Sequence, residues 1–278
     1  MIIHDEKIAI VCSGGGMRCS YSAGALVALA HEYGFTEPYL VIGNSGSAGS
    51  LAYYLTGQYD SIRNIWTRLL TSRQFIWVLR FWNICNVDWL IDAVFKKIDP
   101  LDTTQLEKSQ TRFLVSAFDI HDGTIRYFNR CESDVFELLR ATKAMPIIFN
   151  HDVKIEGRDY CDASRCTGVH GSIEQAFSLG ADKVIAINNE FGRSSILFTI
   201  YTLLLPAVMR TRIAEEKERE FKGYPSLTEH SRDIIWMSPK TLPIGLLGNS
   251  HAKLVKSFEL GYRDAKENLE LGTLLRQK

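Results

Sequence analysis

Lys7-Ile8-Ala9-Ile10-Val11-Cys12 followed by Ser13-Gly14-Gly15-Gly16 is the stretch that decides the fold. The apolar residues run without alternation, the pattern of a strand covered by helices on both faces. The glycines then break the run. A helix follows, with Ala23, Leu26, Val27 and Ala30 on one face and Gly34 where a C-terminal cap belongs. Tyr39 to Ile42 reads as a second strand, Gly43-Asn44-Ser45-Gly46 as its turn, and Ser47 onward as a second helix carrying Leu51, Tyr54 and Leu55. Two strand–glycine turn–helix units in succession imply parallel pairing with helices on the sheet faces. The expected fold is therefore α/β: three α/β/α layers around a mostly parallel central sheet, in a single domain over residues 1–278.

Working outward, Arg112–Phe118, Thr124–Phe128, Lys183–Ile187 and Asp233–Trp236 read as strands. Asp134–Thr142 and Lys253–Asn268 read as helices. Four of the five tryptophans fall between Trp66 and Trp89, beside Phe75, Phe81 and Phe95, so an aromatic-rich helical insertion is expected at about 60–100 and a C-terminal helical region at about 195–278. The apolar run Ile196–Met209 is 14 residues with Pro206 inside it. That is short of the roughly 20 a spanning helix needs, which leaves a buried or interfacial helix.

Lys plus Arg and Asp plus Glu both number 32, which argues against a nucleic-acid partner. The six cysteines contain no CxxC pair, so no zinc site is expected, and reduced thiols in a cytoplasmic protein are the expectation. The opening Met1–Lys7 has too short an apolar part for a signal peptide.

A glycine turn between a strand and a helix is a generic anion site. The dinucleotide fingerprint would need glycine at Cys19 and an acid closing the second strand, where Gly43 stands. A P-loop would need Gly-Lys-Ser/Thr where Met17-Arg18-Cys19 stands. An oxyanion hole for acyl transfer fits, since it asks only for backbone amides with no Cβ in the way. Ser45-Gly46-Ser47-Ala48-Gly49 then lies in the strand–turn–helix context of a nucleophile elbow. Taken singly, such serines are more often helix caps.

Four motifs in order resemble those of patatin-like phospholipases. Gly14-Gly15-Gly16-Met17-Arg18 resembles the family's Gly-Gly-Gly-x-Arg segment, and Ser47-Ala48-Gly49-Ser50-Leu51 is similar to its nucleophile turn. Ala141-Thr142-Lys143-Ala144-Met145-Pro146 resembles the segment before its catalytic acid. Asp162-Ala163 stands where the family has Asp-Gly. Cys19, Ser45 and Ala163 each replace a family glycine.

The resemblance implies a lipid acyl hydrolase with a Ser–Asp dyad and no metal or organic cofactor. It implies Ser47 as nucleophile with Ser45 as fallback, Asp162 as base, and Gly14, Gly15, Gly16 and Arg18 around the oxyanion. His170, His230 and His251 leave a Ser–Asp–His esterase open, and an inactive lipid-binding relative is the other alternative. The implied partner is a lipid or acyl ester, with the aromatic segment read as core, acyl-channel wall or peripheral membrane contact. A net charge of zero predicts that such contact depends little on salt.

Overall fold

A computed structural model describes residues 6–190 and 196–276, without the side chains of 196–199. The stretch read above for a signal peptide begins in residues 1–5, which lie outside the described residues, and so do the ends of the C-terminal region.

An eight-stranded sheet runs through the protein. Its strands are β1 (Ile8–Cys12), β2 (Leu40–Gly43), β3 (Arg112–Asp119), β4 (Ile125–Asn129), β5 (Val153–Ile155), β6 (Arg158–Asp162), β7 (Lys183–Ile187) and β8 (Ile234–Met237). They order as β5-β6-β3-β2-β1-β7-β8, with β4 also paired to β3. From β3 through β8 the path is parallel; β4, β5 and β6 are antiparallel additions. The expected mostly parallel α/β sheet is what forms.

The helices are α1 (Ser20–Tyr33), α2 (Gly46–Leu55), α3 (Tyr59–Thr67), α4 (Thr103–Lys108), α5 (Val135–Ala141), α6 (Ser164–Ser178), α7 (Ile196–Leu203), α8 (Ala207–Lys222), α9 (Pro225–Glu229), α10 (His251–Lys266) and α11 (Leu269–Arg276), with a π-helix at Trp89–Ile98. The pleat of β1 shows why its apolar run does not alternate. Ile8, Ile10 and Cys12 enter the core shared with α1, α2 and α10, whereas Ala9 and Val11 enter a second core under α6. Both faces are covered, so both need apolar side chains.

The run Ile196–Met209 is broken at Pro206 into α7 and α8. Among the described residues no helix is long and apolar enough to cross a membrane.

One feature of register positions the site. β2 pairs with the first half of β3 and ends at Gly43 opposite Val115. β4 overlaps both β2 and β6 along β3 and so must occupy the other edge. β6 therefore takes over the edge that β2 vacates, with Asp162 opposite Ala117. The last residue of β6 is thus brought to the turn that follows β2.

Candidate active site

The turn after β2 is tight because Gly43 lies against α2: a Cβ there would stand 2.6 Å from Ala48 Cα. Ser45, the residue before α2, takes φ 53° and ψ −124°. A residue other than glycine adopts such a conformation only where the surroundings enforce it. Here the Ser45 amide donates to Thr142 Oγ1 at 2.8 Å. Asp162, on β6, donates its amide to Ala144 O at 3.0 Å. The Ala141–Pro146 segment therefore fixes both the serine turn and the acid strand. Its sequence was noted for its resemblance; what Thr142 and the Ala144 carbonyl do had no signal of its own.

Ser45 and Asp162 line the same cleft, near enough for the serine hydroxyl to favour the ionised carboxylate. Ser164 adds a backbone N–H to Asp162 Oδ1 at 2.8 Å. Burial raises the carboxyl above its ordinary range, while the Ser164 amide, the nearby Ser164 and Ser45 hydroxyls and the charge of Lys143 pull it back. Lys143 is buried, and burial lowers its ammonium to about 7 against the opposing attraction of Asp162. Lys143 was not expected from the sequence as part of the site.

The first glycine turn packs beside the second. A Cβ on Gly14 would stand 3.2 Å from Ser45 Cβ, and one on Gly46 would stand 3.1 Å from Gly16 O. Gly15 and Gly16 have φ of 141° and 55°, which side-chain-bearing residues seldom adopt. The Met17 amide donates to Leu246 O and that of Arg18 to Gly15 O, whereas those of Gly14, Gly15 and Gly16 donate to no group among the described residues. Arg18 lies near the first turn, on the wall of the open cleft with Arg165, Lys217 and Glu190.

Ser47 is placed differently. Fully buried inside α2, its hydroxyl donates to Ser13 O at 2.7 Å and lies 3.0 Å from Ser22 Oγ. Asn189 Nδ2 donates both to Ser47 Oγ, at 3.2 Å, and to Ser13 O, at 2.9 Å. This network ties α2 to the end of β1, and Asn189 was not singled out from the sequence. The histidines stand apart from Ser45. His170 stacks on Tyr224, His230 stacks on Phe177, and His251 opens α10. Among the described residues none lines either cavity that reaches Ser45.

Two cavities open on Ser45. One is an apolar chamber running under the aromatic segment, walled by Trp66, Phe75, Leu90 and Phe95, with Lys143 as its one charged residue. The other is the open cleft that also holds Asp162. Among the described residues no cluster of His, Cys, Asp or Glu could hold a metal ion.

The family model of the patatin-like phospholipases matches residues 10–169. An uncharacterized protein of Escherichia coli K12, YjjU, is 28% identical over 186 residues, covering 65% of this chain and 51% of that protein. The chain thus spans about half the length of the curated relative it matches. The crystal structure of VipD from Legionella pneumophila superposes with a TM-score of 0.50 at 11% identity, covering 98% of this chain and 67% of that one, and shares the fold. With the family model spanning more than half of its residues, from β1 into α6, the chain belongs to the patatin-like phospholipase family.

Proposed function

We propose that the protein is a serine acyl hydrolase of lipid esters, phospholipase A-like, with Ser45 as nucleophile and Asp162 as its base. The observation that carries this is the strained turn at Ser45, which places the serine in one cleft with a buried carboxylate. The proposal moves the nucleophile from Ser47 to Ser45. The Ser47 hydroxyl is engaged with Ser13, Ser22 and Asn189, away from both cavities.

In this mechanism the Ser45 hydroxyl attacks the ester carbonyl and its proton passes to Asp162. The oxyanion forms against the amides of Gly14–Gly16, each donor worth about 3–4 kcal/mol. Collapse expels the alcohol, which takes the proton back from Asp162. Water, deprotonated in turn by Asp162, then attacks the acyl-enzyme, and Ser45 leaves as it takes that proton back, releasing the fatty acid. A raised carboxyl pKa makes Asp162 a better base than an exposed aspartate. The apolar chamber suits the acyl chain. The cleft, with Arg18, Arg165 and Lys217 on its walls, suits an anionic head group.

Four of the six cysteines are buried and unpaired, which supports a reducing, cytoplasmic setting.

The test is hydrolysis of a short-chain chromogenic ester and of a phospholipid. Ser45→Ala and Asp162→Asn should each fold and lose roughly a thousandfold or more in kcat/KM. His170→Ala, His230→Ala and His251→Ala should keep most of the activity. A histidine variant that folds yet is dead would replace the dyad with a triad, and an inactive wild type would leave a lipid-binding relative.

A further inference from the structure

Between Ser61 and Val87 the chain carries four arginines and no Asp or Glu, although the protein as a whole is neutral. At the centre of this segment, Trp77, Val78, Leu79, Phe81 and Trp82 are exposed, Leu79 by 71%, Phe81 by 76% and Trp82 by 60%. Scattered surface hydrophobics are ordinary; five within six consecutive residues mark a surface that meets something.

Part of the loop's backbone is paired internally, at its base and across its turn. The Trp77 amide donates to Ile84 O at 3.0 Å, that of Arg80 to Trp77 O at 3.0 Å, and that of Asn83 to Arg80 O at 2.9 Å. Arg80, in the middle of the apolar tip, turns its guanidinium inward to the carbonyls of Asn83 (2.6 Å), Phe75 (3.1 Å) and Gln74 (3.2 Å). Asn249 Nδ2 satisfies Ile76 O at 3.2 Å. Such pairing lowers the cost of bringing the loop to a lipid interface, at a depth where water and head groups still reach the amides of Val78, Leu79, Phe81 and Trp82.

Its position adds a third observation. The Cys85 amide donates to Ile148 O at 3.0 Å, which seats the base of the loop on the Met145–Phe149 turn. That turn walls the cleft holding Ser45 and Asp162. Tyr201 of α7 reaches the same turn through Pro146 O at 3.0 Å, and Ile147, Ile200, Leu203 and Leu204 extend the exposed apolar rim.

We propose that the Trp77–Trp82 loop docks the protein onto an anionic phospholipid bilayer, sinking its apolar tip into the interface with Arg68 and Arg73 against the head groups. Tryptophan favours that depth, and arginine beside it complements the surface charge. The neutral total charge predicts salt-independent contact; its uneven distribution makes part of the binding salt-sensitive instead. The purpose of docking, presenting the cleft to lipid, rests on the hydrolase reading, but the docking itself needs no turnover.

Flotation of the full chain with equimolar phosphatidylcholine–phosphatidylglycerol vesicles tests this. The wild type and Ser45→Ala should float alike. Trp77→Ser/Phe81→Ser/Trp82→Ser, its fold checked by circular dichroism, should lose roughly a hundredfold in partitioning. The same triple variant should hydrolyse a water-soluble ester at the wild-type rate. A wild type that does not float, or a triple variant that floats equally well, overturns the proposal. So does a wild-type dimer that the triple substitution converts to monomer, because the loop would then face a second copy. An inactive enzyme that still floats through this loop would sink the hydrolase reading alone.

Discussion

Ser45 holds a backbone conformation that costs a non-glycine residue about 1–3 kcal/mol, held by its amide to Thr142 and by the Ala48 amide to its carbonyl. The electrostatics of Asp162 then depend on Lys143. Burial raises the carboxyl and the ammonium opposes it. The proposed mechanism needs Asp162 ionised, so activity should appear as pH rises through its raised pKa. Lys143, lowered to about 7, is charged below that pH. Lys143→Met removes a charge that favours the carboxylate, so the acid limb of kcat/KM should move to higher pH; an unmoved or lower limb would contradict the coupling. Stability gives a second readout. The unfolded chain keeps the Lys143 proton up to roughly pH 10 and the folded one releases it near 7. Between those values the unfolded state binds more protons, so stability rises with pH, and Lys143→Met should remove that rise.

At the scale of elements, α1 and α10 cross at two glycines. A Cβ on Gly24 would stand 1.9 Å from Phe258 O, and one on Gly261 would stand 1.9 Å from Tyr21 O. Tyr21 to Asp264 and Tyr33 to Ala265 O pin the helices at that spacing. Alanine for glycine inside a helix ordinarily gains up to about 1 kcal/mol, but here the clash decides the sign. Gly261→Ala should lower stability by roughly 3 kcal/mol, read as a fall in the urea midpoint; an unchanged midpoint would mean that the helices can separate freely. Much of this architecture was legible from local pattern. β1, β2 and β7 are short apolar runs closed by turn residues. The antiparallel pair was not legible: β5 is three residues, and Arg158-Asp159-Tyr160-Cys161-Asp162 shows neither strand nor helix periodicity. Asp162 was therefore reached only through family resemblance. Its encounter with Ser45 depends on β6 replacing β2 along β3, a non-local register. Family resemblance puts Ser47 ahead of Ser45, and for a related reason the local sequence offers nothing against that order. Glycine spacing points to both, and what separates them is a backbone angle and a hydrogen-bond network reaching to Asn189.

Across the whole molecule, the aromatic segment divides its labour. Trp66, Phe75 and Phe95 turn inward as chamber wall, whereas Trp77, Phe81 and Trp82 turn out as a surface. Chamber and cleft share Ser45, Gly16, Met145, Leu246 and Leu247, so an ester carbonyl at Ser45 would have its acyl chain on one side and its alcohol on the other. All of this rests on which serine attacks. Treating the intact protein with a fluorophosphonate and mapping the adduct by peptide mass spectrometry decides it, because the label stays on the nucleophile. The account predicts the adduct on Ser45, none on Ser47, and much slower labelling in Asp162→Asn; an adduct on Ser47, or on neither serine, would contradict it.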